Sequence, residues 1–483
     1  MLKHPRTPSQ LAIYIKGFLT MTGKKVAIIG AGAAGVCTAK YMLGAGFDVT
    51  VFEAGSYVGG LWVYENDNGR SQAYRNLSII SSRRYTEFSD FPFDPQTPRF
   101  PRHWDMHRYL TSYAENFGVM SKIKFHTLIT RVDPIKSLPG DGGRWRVTAE
   151  DGTAEDYDAV IVATGHLSEP SHSETLRAQF TGEYLHSSEY REPSRFAGRR
   201  VCIVGAGNSG ADIASDICTV AARTVISLRS GVVIQPKVIA GMPFTDISLH
   251  LLDRRWIPRW IRAKVVAALI YLAHGDQERL GIPRPKMQSR PTLSESIIMD
   301  IEYNRVYPKP DIVGIDGRVI TFGDGTCEEF DVVVGATGYR VYLPFIDPEI
   351  VPVIGNHVDL YKRIFVPDWP GIYFVGMLSP FSTLNRIFEE QGKVIIQAIS
   401  GNVVLPPASV MRSEIASRNA VRKRLYTDSP RNELQEPDFG YVDDLRALLK
   451  PARKGRFSFL AAASSKSARS PAAPARRRAQ RIP

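Results

Sequence analysis

The residues best placed to do chemistry are two glycine runs, Gly30-Ala31-Gly32-Ala33-Ala34-Gly35 and Gly205-Ala206-Gly207-Asn208-Ser209-Gly210. Each follows a β-branched run, residues 26–29 and 201–204, and each opens a helical pattern. In this order the first glycine permits a tight turn, the second lets backbone approach a pyrophosphate, and the third lets the helix pack closely on the strand. Backbone N–H groups at the helix start, aided by the helix dipole, then hold the phosphates. The expected contacts are Gly30, Gly32, Ala33, Ala34 and Gly35 in the first run. In the second they are Gly205, Gly207, Asn208, Ser209 and Gly210, with Asp212 further along the same helix.

The strand after each run decides which nucleotide it suits. After the first, Glu53 closes the next strand, where a carboxylate accepts hydrogen bonds from ribose hydroxyls. After the second, the strand ends in Leu228-Arg229-Ser230. An acid there would repel a 2′-phosphate, whereas Arg229 can form charge-assisted bonds with it. Two sites of opposite charge logic imply two dinucleotides in one chain, FAD on the acid and NADPH on the arginine. Hydride would pass from nicotinamide to flavin, and the flavin would carry the difficult chemistry.

These loops need strands and helices to position them. Short apolar runs at 26–29, 49–52, 159–163, 201–204, 224–228, 332–334 and 372–375 suit parallel strands covered on both faces. Helical patterns at 34–43 and 210–221 lie between them, so the fold class is α/β with doubly wound domains. A further helix is expected at 105–117, with Met106, Tyr109, Leu110, Tyr113 and Phe117 on one face as core packing. Another is expected near 389–398. Residues 254–273 carry Trp256, Trp260, basic residues and the apolar run 265–272. This segment is read as a packed helix of the NADPH domain, with peripheral membrane contact or an access route as the alternatives.

Composition narrows the class. The 483 residues are 43% hydrophobic and 23% charged, an ordinary globular balance. Ten Lys and Arg and no acid lie in residues 450–483, so most of the formal charge of +12 belongs to a tail rich in Ala, Ser, Pro and Arg. Such a tail cannot bury enough apolar surface to fold and is expected to be disordered, with no specific nucleic acid as partner. Cys37, Cys202, Cys218 and Cys327 are scattered, which fits buried single thiols, a reducing compartment and a cytoplasmic location. No metal site is expected. No run reaches the ~18 apolar residues of a membrane span. Residues 1–22 read as an extension, with Met1 and Met21 both open as the start.

The motifs together resemble the flavin-containing monooxygenases. Phe180, Gly182, His186 and Tyr190 match that family's FxGxxxHxxx(Y/F) signature between the two fingerprints. Glu53 through Gly59-Gly60-Leu61-Trp62 is similar to its flavin-contacting stretch. Ala163-Thr164-Gly165 and Ala336-Thr337-Gly338-Tyr339 are similar to its two interdomain crossings. The resemblance spans roughly residues 25–401. It implies two Rossmann-like domains, the NADPH domain inserted in the FAD domain: FAD domain 23–165 and 336–449, NADPH domain 166–335, tail 450–483. It also adds Gly60, Leu61, Trp62 and Ser81 to the FAD contacts. The activity it implies is of the N,N-dimethylaniline monooxygenase type. NADPH reduces FAD, O2 adds to give a flavin C4a-hydroperoxide, and a small soft nucleophile, amine or sulfide, takes the distal oxygen. No catalytic side chain is assigned, and His186 is read as structural. The signature ends Tyr190-Arg191-Glu192-Pro193, unlike the Trp then Pro or Asp of the related Baeyer–Villiger enzymes. A redox-active cysteine pair of the glutathione-reductase type is absent.

One position departs from the family. Ile80 stands where many members have an asparagine beside the flavin, and isoleucine cannot donate a hydrogen bond. Ser81, Ser82 or Asn76, the last if the segment is helical, are the candidate substitutes. Two alternatives therefore stand beside amine or sulfide oxygenation: a Baeyer–Villiger-type ketone monooxygenase, and a poorly coupled NADPH-oxidising redox flavoprotein.

Overall fold

A computed structural model describes residues 23–136, 143–247, 257–288, 290–380, 383–427, 429, 432–436 and 440–450. The expected extension before residue 23 and nearly all of the basic tail lie outside this set, as does Trp256. Two five-stranded parallel sheets organise the chain. The first has the spatial order Ile372–Phe374, Ala159–Val162, Lys25–Ile29, Asp48–Phe52, Ile123–Lys124. The second has the order Val306–Pro310, Arg223–Leu228, Arg200–Val204, Val332–Gly335, Glu183–His186. Every strand of the second sheet falls in sequence between two neighbouring strands of the first, Ala159–Val162 and Ile372–Phe374.

The apolar runs become strands for the reason their composition suggests. Ala159–Val162 and Val332–Gly335 are buried at every residue. Helices on the faces supply the cover: Ala33–Gly44, His103–Asn116 and Leu384–Ile399 share one core with the first sheet. Met106, Tyr109, Leu110 and Tyr113 are buried in it, and Phe117 packs against it. A three-stranded antiparallel meander precedes the crossing strand in each half, Ile129–Pro134 to Ala154–Tyr157 and Ile312–Asp316 to Cys327–Glu329.

Two elements differ from expectation. The helix after the second glycine run spans Asn208–Ile217, four residues short of the expected end, because the Val220 amide turns back to the Ile217 carbonyl at 3.0 Å. The helix Arg259–His274 is not a packed core helix. Ile270 is buried, but among the described residues Trp260, Tyr271 and Leu272 are 62%, 63% and 80% exposed. Among the described residues no helix is long and apolar enough to cross a membrane. All four cysteines are free; Cys37 and Cys202 are buried, Cys218 is half-buried, and Cys327 is exposed.

Candidate functional site

The two glycine loops share one geometry. Gly30 has φ +105°, and a Cβ on it would lie 2.8 Å from the Ala163 carbonyl oxygen. A Cβ on Gly35 would lie 1.8 Å from the Gly30 carbonyl oxygen, so helix and strand touch through bare backbone. Gly205 (φ +103°, 2.8 Å from Ala336) and Gly210 (1.9 Å from Gly205) repeat the pattern. Gly32 is different: a Cβ there would meet only Gly60, at 3.7 Å. Two glycines thus face one another across the first loop, leaving a cradle that side chains would fill. Both helices start at a glycine cap with no capping side chain and no acid in the first turn. Their N-terminal N–H groups are left for an anion.

Glu53 is 5% exposed. Its carboxylate accepts the Ala31 amide at 2.8 Å and the Gly55 amide at 3.0 Å, holding the glycine loop in shape. A carboxylate has about four acceptor positions, so some remain for ribose hydroxyls. The Gly59 amide donates to the Ala31 carbonyl at 3.0 Å and lays the single turn Gly60–Trp62 across the loop, with Leu61 exposed and Trp62 half-buried. Ala34 is buried and Ala33 half-buried at the helix start.

At the second loop the Asn208 side-chain oxygen accepts the Leu293 amide at 2.9 Å, and Ser209 is half-buried. Arg229 and Ser230 are exposed at the strand end, and Arg229 makes no ion pair with a described residue. Its guanidinium is therefore available to a phosphate. Asp212 points elsewhere. Its carboxylate accepts the Tyr74 hydroxyl at 2.9 Å, and burial raises its pKa against the lowering effect of Lys237 and Tyr74.

Residues 71–82 form a strap between the two halves. They are turn and extended chain, not helix, so Asn76 is not one turn from Ile80. Asn76 instead donates to Asp216 at 2.8 Å and cannot stand in for the missing amide. Ser82 donates to Asp246 and caps the short helix Arg83–Thr86. Ser81 pairs with the Thr86 hydroxyl at 2.8 Å. Ile79 is buried in the first core and Ile80 is half-buried beside it.

The signature residues are packed and hydrogen-bonded within the fold. A Cβ on Gly182 would strike the Phe180 ring at 2.6 Å. His186 is wholly buried; its Nε2 lies 3.0 Å from the Gly338 carbonyl, and its Nδ1 takes the Ser188 amide at 3.1 Å. A carbonyl only accepts, so Nε2 carries the proton and the ring is neutral. Burial, then His172, pulls its pKa down to about 4. His166, after the first crossing, is likewise lowered to about 4 by burial and by Arg290, and bonds the Gly376 carbonyl at 3.2 Å. Tyr190 is wholly buried and donates to Asp216.

Tyr74, Asp216 and Arg290 were not singled out as site residues from sequence. The signal for Asp216 was present: acids four apart on a helix that starts at a phosphate-binding loop must face something other than phosphate. Nothing comparable marks Tyr74, whose partner lies 138 residues away.

The sequence profile of the flavin-binding monooxygenase-like family matches residues 23–462. Flavin-containing monooxygenase 5 from Cavia porcellus is 32% identical over 435 residues, covering 86% of this chain and 80% of that protein. Dimethylaniline monooxygenase [N-oxide-forming] 2 from Mus musculus is 30% identical, covering 87% and 82%. Among solved structures, the S-allyl-L-cysteine S-oxygenase from Allium sativum superposes with a TM-score of 0.67 at 26% identity, covering 89% of each chain. Cyclohexanone monooxygenase from Rhodococcus sp. Phi1 shares the fold, with a TM-score of 0.64 at 16% identity over 89% of this chain and 98% of that one.

Proposed function

The chain belongs to the flavin-binding monooxygenase-like family, and from that premise we propose that it holds FAD on the first glycine helix and NADPH on the second, and oxygenates a small soft nucleophile, an amine or a sulfide. That it is a flavin-dependent monooxygenase follows from the family. The cofactor assignment is carried by one observation. Two uncapped glycine helix starts stand in one chain, one beside a buried carboxylate and the other beside an exposed Arg229 with no ion pair to a described residue.

When bound, the flavin supplies hydride acceptance and oxygen activation. The chain's own residues bind, orient and exclude. Gly32, Ala33, Ala34 and the Gly60–Trp62 turn would take the FAD pyrophosphate and the chain leading to its ring, with Gly30 and Gly35 shaping the loop and Glu53 holding the ribose. Gly207, Asn208 and Ser209 would take the second pyrophosphate, with Gly205 and Gly210 in the shaping role. Arg229 and Ser230 would take the 2′-phosphate. Ile80 and Ser81 would line the place where ring and nicotinamide meet. Crossings at Gly165 and Gly338 would divide the two domains. No side chain is needed as nucleophile or acid–base pair, and His186 and His166 are already committed to backbone carbonyls.

The relatives named for N-oxide formation and for S-oxygenation support the soft-nucleophile reading, as does the signature ending at Tyr190-Arg191. The exposed Trp260, Tyr271 and Leu272 favour peripheral membrane contact for the helix Arg259–His274. NADPH-driven turnover of a tertiary amine, a thioether and a ketone tests the substrate class. The expected result is N-oxide or sulfoxide formation well above lactone or ester. Preference for the ketone would overturn it in favour of Baeyer–Villiger chemistry.

A further inference from the structure

The helix that opens at the second glycine loop is tied sideways to the strap that carries Ile80. Asp212 and Asp216 lie four residues apart on Asn208–Ile217, hence on one face. Asp212 accepts the Tyr74 hydroxyl at 2.9 Å, and Asp216 accepts the Asn76 amide at 2.8 Å and the Tyr190 hydroxyl. The Tyr74 and Tyr190 rings meet edge to face at 5.7 Å. The Arg75 amide donates to the Arg191 carbonyl at 2.8 Å. Tyr74 is 4% exposed and packs in the core of the second sheet with Ile213, Ile217 and Tyr190, although it precedes that sheet in sequence by more than a hundred residues. Further along the strap, Ile79 is buried in the core of the first sheet, and its amide donates to the Pro101 carbonyl at 2.9 Å. The strap thus threads both cores, Tyr74 in that of the second sheet and Ile79 in that of the first, and Ile80 follows directly.

We propose that Tyr74–Asp212 and Asn76–Asp216 form a latch that fixes the NADPH helix relative to the flavin, making these four residues positioning residues for hydride delivery. The inference rests on the cofactor assignment above. The helix that would hold the NADPH pyrophosphate starts four residues before Asp212, so any tilt of the helix would move the nicotinamide. Hydride transfer needs reacting atoms close to contact, where small displacements are costly. A buried hydroxyl-to-carboxylate bond is directional and charge-assisted. The latch also explains why acids follow a phosphate-binding glycine loop: they face the strap, away from the nucleotide. It gives the signature tyrosine a task, since Tyr190 holds Asp216 in place for Asn76.

The test is anaerobic stopped-flow reduction of the FAD-loaded full chain at saturating NADPH. Tyr74→Phe and Asp212→Ala should each lower the limiting reduction rate by about tenfold. The double variant should be no slower than either within about twofold, because both remove one bond. Asp212→Asn keeps an acceptor oxygen and should stay within about threefold of the unmodified rate. FAD content should be full, and KM for NADPH should move far less than the limiting rate. If Asp212→Ala does not fold, Tyr74→Phe, which removes only a hydroxyl, and Asn76→Ala, at an exposed position, carry the test together. Limiting rates within twofold of the unmodified protein in both would overturn the latch. If the unmodified protein holds FAD but NADPH does not reduce it, the cofactor assignment fails and the latch with it. Normal reduction with unaffected variants removes the latch alone.

Discussion

At the residue scale, the proposed cofactor assignment places the nucleotide preference on Arg229. It is exposed and unpaired among described residues, so no ion pair with a described residue has to be broken before it meets a phosphate. Arg229→Ala should raise KM for NADPH by about tenfold, the lower end for a charge-assisted contact because solvent screens an exposed guanidinium. KM for NADH should barely move, and equal effects on both would count against the role. The same proposal places the coupling on Ile80. Its half-buried side chain offers no donor, Asn76 is spent on Asp216, Ser82 on Asp246, and Ser81 on Thr86. We expect the unmodified protein to release much of its reducing power as H2O2. Ile80→Asn should shift the ratio of product to H2O2 by about 1 kcal/mol, roughly fivefold, the worth of one hydrogen bond. Peroxide and product assays on the same NADPH pulse decide this, and tight coupling in the unmodified protein would contradict it. Residue types at the loops were legible in the sequence because glycine and charge there have few other uses. The committed partners of Asn76 and Ser82 were not, because they lie on the far side of a domain boundary.

At the scale of elements, the signature segment works as a brace. Glu183–His186 is the edge strand of the second sheet, and His186 at its end reaches the Gly338 carbonyl in the second crossing. The ring must stay neutral to remain buried there, which is why its pKa falls to about 4. The sign follows from linkage. The unfolded chain takes up a proton near pH 6.5, and the native imidazole does not until about 4. Its contribution is therefore full above the unfolded pKa and is lost as pH falls through that window, at up to about 1.4 kcal/mol per pH unit. His186→Gln keeps a donor for Gly338 and cannot be protonated. Its melting temperature should fall less between about pH 7 and pH 5 than that of the unmodified protein. Parallel acid profiles would contradict the brace. Strands and the fingerprint helices were readable from apolar runs and glycines. The helix Arg259–His274 was expected to be packed because an apolar run looks the same whether protein or something else covers it, and among its described residues Ile270 alone is buried. The strap was open to a helical reading because it lacks breakers, yet its Arg75 and Ile79 amides go to Arg191 and Pro101, and only a single turn, Leu77 to Tyr74, closes along the chain.

For the whole molecule, two parallel sheets with one sequence nested in the other bring two helix starts into one protein. Nesting was legible once the two fingerprints and two crossings were read in order; how the halves are joined through Tyr74 was not, since no local pattern encodes a partner in another core. The account's central claim is that these parts make a monooxygenase, and isotopically labelled O2 tests it most directly. With FAD-loaded protein, NADPH and a thioether under labelled O2 in ordinary water, the sulfoxide should carry one labelled oxygen, with the other in water. Product should not exceed NADPH consumed, and catalase should leave the product intact. Unlabelled product, or NADPH oxidation yielding H2O2 with no labelled product from any amine, sulfide or ketone, would contradict the account and leave a redox flavoprotein that oxygenates nothing.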